Sequence, residues 1–201
     1  MKLKRASGIL LHVSSLPGPY GVGDFGPGAW QFSDWLRAGG QRWWQVLPLG
    51  PTDPLYASSP YRSVSAFAFN PLFISPDLLE REGLVQPAEL RPRPSFRPAR
   101  SDYAETAAWR RRMLGRAAER LRGGASLGRF VRVQRDWLED HCLFTVLKEI
   151  HDNRPWTEWP AGLRDRKPTE LRRIQREFAP ELEKARRIQF IAWTQWQDLR
   201  R

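Results

Sequence analysis

The sequence predicts an α/β fold that opens with a strand, helix and second strand and continues as a block of helices. Two short apolar runs, GILLH at residues 8–12 and Trp43–Leu47, each give way to a turn-rich segment, as buried strands do. Between them Ala29, Phe32, Trp35 and Leu36 recur at helical spacing, so about forty residues hold a βαβ unit with parallel strands. After Gly83 the apolar residues recur in steps of three and four, which reads as helix throughout.

The first strand ends in SSLPGPYGVGDFGPG, a loop rich in Gly and Pro, and the next helix is stopped by Gly39 and Gly40. Pro48 and Gly50 end the second strand. Asn70–Ser75 reads as a third, shorter extended piece, followed by a helix starting at Pro76 with Ser75 as its cap. Residues 90–100, LRPRPSFRPAR, hold three prolines and four arginines and read as an extended connector. Asp102 and Glu105 have capping-box spacing and open a helix to about Arg122; another runs from Ser126 to about Ile150, with Phe130, Val133, Trp137, Phe144 and Leu147 among its apolar positions. Beyond the break HDNRPWTEWPAG come helices at about 168–178 and 181–200, the last marked by Leu182, Ala185, Ile188, Ala192, Trp196 and Leu199. Parallel sheets need both faces covered and several strands, so two or three strands read as the opening of a larger α/β fold. The last helix ends in QDLRR without a glycine or proline stop, and the chain therefore reads as cut short.

The 201 residues are 41% hydrophobic and include ten tryptophans and ten phenylalanines, enough apolar bulk for one ordinary core. No run approaches the roughly 18 apolar residues of a membrane span, and the N-terminus lacks the form of a signal peptide. A cytoplasmic location is the default expectation. The lone Cys142 excludes an internal disulfide and reads as a small core residue on a helix. The formal charge of +11 points toward nucleic acid, but residues 1–80 carry six basic against five acidic groups. Ten of the eleven excess charges therefore lie in the helical region, as arginines on polar faces without the aromatic interleaving of single-strand binders. Nucleic acid and membrane are not expected partners.

The segment from Trp43 to Pro71, WWQVLPLGPTDPLYASSPYRSVSAFAFNP, carries the strongest chemical signal. Tyr56, Ser58, Ser59, Tyr61, Ser63 and Ser65 crowd one loop at the carboxyl end of a strand. Tyrosine offers an apolar face with a hydrogen-bonding tip and serine a small donor and acceptor, which matches the C–H faces and hydroxyl rim of a pyranose. Turn formation explains the same residue types, so composition alone leaves both readings open. Asp34 reads as solvated, Asp24 as an Asx-type turn residue, and Asp53, before a proline in the loop, as a turn residue ahead of the alternative of lining a cleft; none forms a recognisable catalytic pair. His12 reads as a satisfied core histidine. His141 and His151 are ten residues apart and support no metal site, and GVGDFG lacks the order and lysine of a phosphate loop. No cofactor is expected. Trp43, Trp44, Trp156 and Trp159 all suit stacking on sugar, but most read as core, with Trp156 and Trp159, in a loop, as the exposed pair.

GILLHVSSLPGPYGVGDFG, WWQVLPLGPT and SSPYRSVSAFAFNP, in this order, resemble the amino-terminal part of the amylomaltases, the 4-α-glucanotransferases also called disproportionating enzymes of glycoside hydrolase family 77. HCLFTVLKEIHDNRPWTEWP and IQFIAWTQWQDLRR are similar to that family's helical insertion and the helix after it. The resemblance implies the N-terminal part of a (β/α)8 TIM barrel with a large helical insertion, the barrel being incomplete in this chain. It implies residues 1–83 as the first βα units with substrate loops, 84–100 as a connector, and 101–201 as the insertion and a following barrel helix. The implied activity is transfer of α-1,4-glucan segments between maltooligosaccharides through a covalent intermediate, using two carboxyl groups about 5 to 5.5 Å apart. In the family those carboxylates lie downstream of the matched helix, so the isolated chain is expected to be inactive. Tyr61 matches the tyrosine that packs on and hydrogen-bonds the sugar beside the cleaved bond, and Ser59 its polar neighbour. Tyr56 corresponds to an aromatic of a second glucan site on the rim. The family often has Asp where this chain has Ser58, and DPLYASSPY is two residues longer than the usual loop. Two other readings stay open, a glucan-binding remnant without catalysis and a basic helical nucleic-acid binder.

Overall fold

Gly8–Leu10 (β1) and Trp43–Gln45 (β2) pair in parallel, in the register Gly8 to Trp43, Ile9 to Trp44 and Leu10 to Gln45. The computed structural model describes residues 5–53, 57–91, 93–96 and 101–201. Both strands are shorter than the apolar runs that predict them. Leu11 N–H still donates to Gln45 O at 3.0 Å, but Val13–Ser15 then coils into a 3₁₀ turn, and Val46 and Leu47 lie outside the ladder.

Between the strands runs α1, Pro27–Ala38. Pro27 sits at its first turn, where a missing N–H costs nothing and the fixed φ suits a helix. Gly40, at φ +69, closes the other end: its N–H donates to Arg37 O and that of Gln41 to Leu36 O, the paired bonds of a Schellman stop. Ala29 and Leu36 are buried and Phe32 meets Trp44 edge-on at 5.0 Å, while Trp35 is 59% exposed. The expected apolar face is therefore narrower, because residue 35 falls on the flank of the stripe formed by 29, 32 and 36.

Asn70–Ser75 is not a strand. Pro71–Phe73 forms a 3₁₀ turn, because the Asn70 side chain accepts from Leu72 N–H at 3.0 Å and Pro71 presets a turning φ. Ser75 then precedes α2, Pro76–Arg81, as expected, but its hydroxyl makes no capping bond. Its backbone N–H instead donates to Gln195 Oε1 at 2.7 Å.

The chain divides into two compact units, Met1–Arg120 with Ile191–Arg201, and Leu121–Phe190. The first centres on Val13, Leu16, Val22, Phe25, Ala29 and Phe73, with Trp44, Phe69, Trp196 and Leu199 packed against them. It also takes in α3, Tyr103–Arg120, whose N-terminus is capped by Asp102 accepting from Glu105 N–H. Thr106, Trp109, Arg110, Met113, Leu114, Ala117 and Ala118 of α3 are buried, an unbroken three-and-four spacing, and contact groups this helix with the strands and with residues Ile191–Arg201.

The second unit holds α4, Ala125–Ile150; the short α5, Ala161–Arg164; α6, Pro168–Glu177; and the first part of α7, Ala179–Leu199. Leu138, Cys142, Leu143, Val146 and Leu147 of α4 are buried with Leu163, Ile174 and Leu182, whereas Val133 is 64% exposed. Arg186 clasps Glu139 through two hydrogen bonds, of 2.9 and 2.6 Å. Trp159 is also buried, against Phe144 and His151, so only Trp156 of the expected exposed pair faces solvent. Among the described residues no helix is long and apolar enough to cross a membrane.

Candidate functional site

The tyrosine and serine loop leaves the carboxyl end of β2 and closes on itself through a stem. Asn70 N–H donates to Leu49 O at 2.8 Å, Asn70 Nδ2 to Thr52 Oγ1 at 3.2 Å, and Thr52 pairs with Ser63 in an antiparallel bridge. The two sides of the stem approach so closely at Gly50 that any Cβ there would collide with the Ser63 side chain and Ser65 O. Asn70 is 2% exposed, and its bonds to Leu49 and Thr52 hold the outgoing chain.

At the tip, Arg62 N–H donates to Ser59 O at 3.1 Å, closing a turn with Pro60 and Tyr61 at its centre. Proline suits the second position of such a turn because its φ is preset. Tyr61 at the next position is thrown outward and is 72% exposed. Ser59 is half-buried at the start of the turn. Ala57 and Ser58 stand consecutively at φ 53 and 54, a left-handed conformation costly to residues with a Cβ, and Ser58 N–H reaches Asp53 O at 3.2 Å. Tyr56 lies outside the described residues.

Not every serine of the loop is free for a ligand. The Ser63 hydroxyl donates to Ser65 O, and the Ser65 hydroxyl accepts from the N–H groups of Phe67 and Ala68. Ser58 is buried. Two of the four serines, Ser63 and Ser65, thus shape the backbone, the turn-forming alternative that composition left open.

The loop after β1 carries Asp24. Its Oδ1 accepts from Gly26 N–H at 2.9 Å, the Asx-type bond expected there, and its Oδ2 accepts from Arg110 Nη2 at 2.9 Å. Burial pushes the Asp24 carboxyl up, and the guanidinium beside it pulls it back. Arg110 is fully buried, against the expectation that the arginines of the helical region lie on polar faces. The signal was present, since residue 110 falls within the 106, 109, 113 spacing of the apolar stripe. Asp34 lies exposed beside Arg37. His12 is buried edge-on to Phe73 at 5.3 Å, and burial lowers its pKa; its Nδ1 has no partner among the described residues, so it is a core histidine but not a fully satisfied one. Among the described residues no three His, Cys, Asp or Glu side chains gather as metal ligands do.

A family model described as 4-alpha-glucanotransferase, that of glycoside hydrolase family 77, matches residues 11–201. The chain belongs to this family. It is 42% identical to a 4-alpha-glucanotransferase of Thermus thermophilus and 38% identical to one of Synechocystis, over 98% of its own length in each case and 38% and 40% of theirs. Its fold matches the amylomaltase of Streptococcus agalactiae, solved in complex with acarbose, with a TM-score of 0.90 and 33% identity over 98% of this chain and 40% of that one. The chain therefore spans about 40% of the length of the relatives it matches. The motifs that carry the 4-alpha-glucanotransferase resemblance, GVGDFG and SSPYRSVSAFAFNP, are the loops after β1 and β2 and stand in one compact unit.

Proposed function

We propose that this chain supplies one wall of an α-1,4-glucan site in a 4-α-glucanotransferase, with Tyr61 packing on the sugar beside the scissile bond and Ser59 bonding its hydroxyls. The observation that carries the reading is an exposed tyrosine at the apex of a turn whose stem is locked by Asn70. An aromatic ring on a preordered loop binds a pyranose face without a large ordering cost. The acarbose complex of the Streptococcus agalactiae amylomaltase supports a saccharide as the ligand class. Tyr56, by family resemblance, contributes a second glucan contact on the rim.

The whole reaction is proposed as a retaining double displacement between maltooligosaccharides, on a (β/α)8 barrel in the cytoplasm without a cofactor. Residues 1–83 form the first βα units, 84–100 a connector, and 101–201 the helical insertion and a barrel helix. By family resemblance the bond-breaking carboxylates are supplied from outside these residues, and two acidic side chains near the loops are otherwise engaged, Asp24 with Arg110 and Asp34 in solvent beside Arg37. Calorimetry of the 201-residue chain with maltoheptaose tests the binding claim: saturable binding that weakens at least fivefold in Tyr61→Ala is expected, and equal binding by both refutes it. Incubation with maltotriose should leave the sugar unchanged; formation of glucose and longer chains would place the carboxylates within this chain.

A further inference from the structure

A single buried arginine stands between the two loops that leave β1 and β2. Arg110 Nη1 donates to Leu72 O and to Ile74 O, both at 2.5 Å, and Nη2 donates to Val22 O at 3.0 Å and to the Asp24 carboxylate. Two acceptors belong to the first loop and two to the segment that leaves the second. One backbone bond, Phe25 N–H to Phe73 O at 2.9 Å, runs alongside them.

Burying a guanidinium is expensive, and an apolar side chain at residue 110 would complete the α3 stripe at lower cost. What the arginine adds is geometry: a rigid planar fork with donors aimed at acceptors on two chain segments. From Leu72 the hydrogen bonds continue outward. Leu72 N–H donates to Asn70 Oδ1, Asn70 Nδ2 to Thr52 Oγ1, and Thr52 pairs with Ser63, two residues from Tyr61.

We infer that Arg110, with Asp24 as its counter-ion, is a positioning residue for the glucan loop, setting the stem from which Tyr61 projects. The inference rests on the reading of that loop as a glucan site. Arg110 touches no sugar; it holds the carbonyls of Leu72 and Ile74 against the GVGDFG loop, so the stem enters the site in one register.

The test uses the 201-residue chain, with Arg110→Met, Arg110→Lys and Asp24→Asn, the last being the milder change should Arg110→Met not fold. Each variant is checked for a cooperative melt and studied well below its midpoint, by maltoheptaose calorimetry and by amide hydrogen exchange at Ser58, Asn70 and Leu72. The expected result is at least fivefold weaker binding in Arg110→Met and Asp24→Asn, partial recovery in Arg110→Lys, and at least tenfold faster exchange at those three amides with unchanged exchange at Val146 in α4. Folded variants that bind as the parent does and keep loop protection would overturn the inference while leaving the glucan reading intact. If the parent chain binds no maltoheptaose the glucan reading fails, and loop exchange still decides whether Arg110 orders the stem.

Discussion

Asn70 Nδ2 donates to Thr52 Oγ1 at 3.2 Å, joining the incoming and outgoing sides of the loop that carries Tyr61. The same side chain accepts from Leu72 N–H, so one buried amide both closes the stem and turns the chain into the 3₁₀ segment. Asn70→Ala removes both bonds and leaves the Leu72 N–H unpaired, which costs about 1 to 3 kcal/mol. Asn70→Asp keeps the acceptor and loses the donor, so urea melts should rank the stabilities as parent, then Asp, then Ala. Equal midpoints for all three would show that the loop is held by other bonds.

Ala57 and Ser58 hold left-handed backbone without glycine. Ala57→Gly relieves the Cβ clash but frees the unfolded chain, so a net gain of about 0.5 to 1 kcal/mol is expected. Thermal melts should rise by a few degrees; a lower midpoint would mean that the conformation is not strained.

His141 is held neutral by burial, its pKa lowered to about 4 from an ordinary 6.5. The unfolded chain takes up this proton first as pH falls, so the contribution is fully present above about pH 6.5 and is lost as pH drops toward 4. At 1.4 kcal/mol per unit the loss is at most about 3 kcal/mol. Burial lowers His12 as well, so it adds in the same direction. Urea unfolding from pH 7.5 to 4.5 should show the decline, with a shallower slope in His141→Gln; parallel slopes would exclude His141 as the source.

Burial in α4 pushes the Cys142 thiol up to about 12. Since the thiolate is the nucleophile, native protein should react with Ellman's reagent at pH 8 only on unfolding. A rapid stoichiometric reaction in the absence of denaturant would contradict this placement.

Much of the architecture is legible from spacing. The βαβ unit, the Gly39 and Gly40 stop, the Asp102 cap and the three long helices beyond residue 100 arise from local rules acting within a few residues. Asn70–Ser75 reads as a strand because its apolar residues suit one, yet a side-chain bond and a proline turn it. Trp159 reads as exposed because it lies in a loop, but Phe144 and His151, distant or across a bend, cover it. Of the loop serines, the sequence cannot distinguish Ser63 and Ser65, spent on their own backbone, from Ser59.

Ordered motifs and periodicity are properties of the linear chain, and they suffice for the family, the parallel pairing of the first two strands and the helical character beyond residue 100. Tertiary structure decided that Arg110 is buried, that it joins the loops after β1 and β2, and that Asn70 locks the stem beneath Tyr61. The partners of Arg110 lie 36 to 88 residues away. Whether a guanidinium is solvated or paired depends on which distant carbonyls the fold brings within hydrogen-bond reach, and no local pattern encodes that distance.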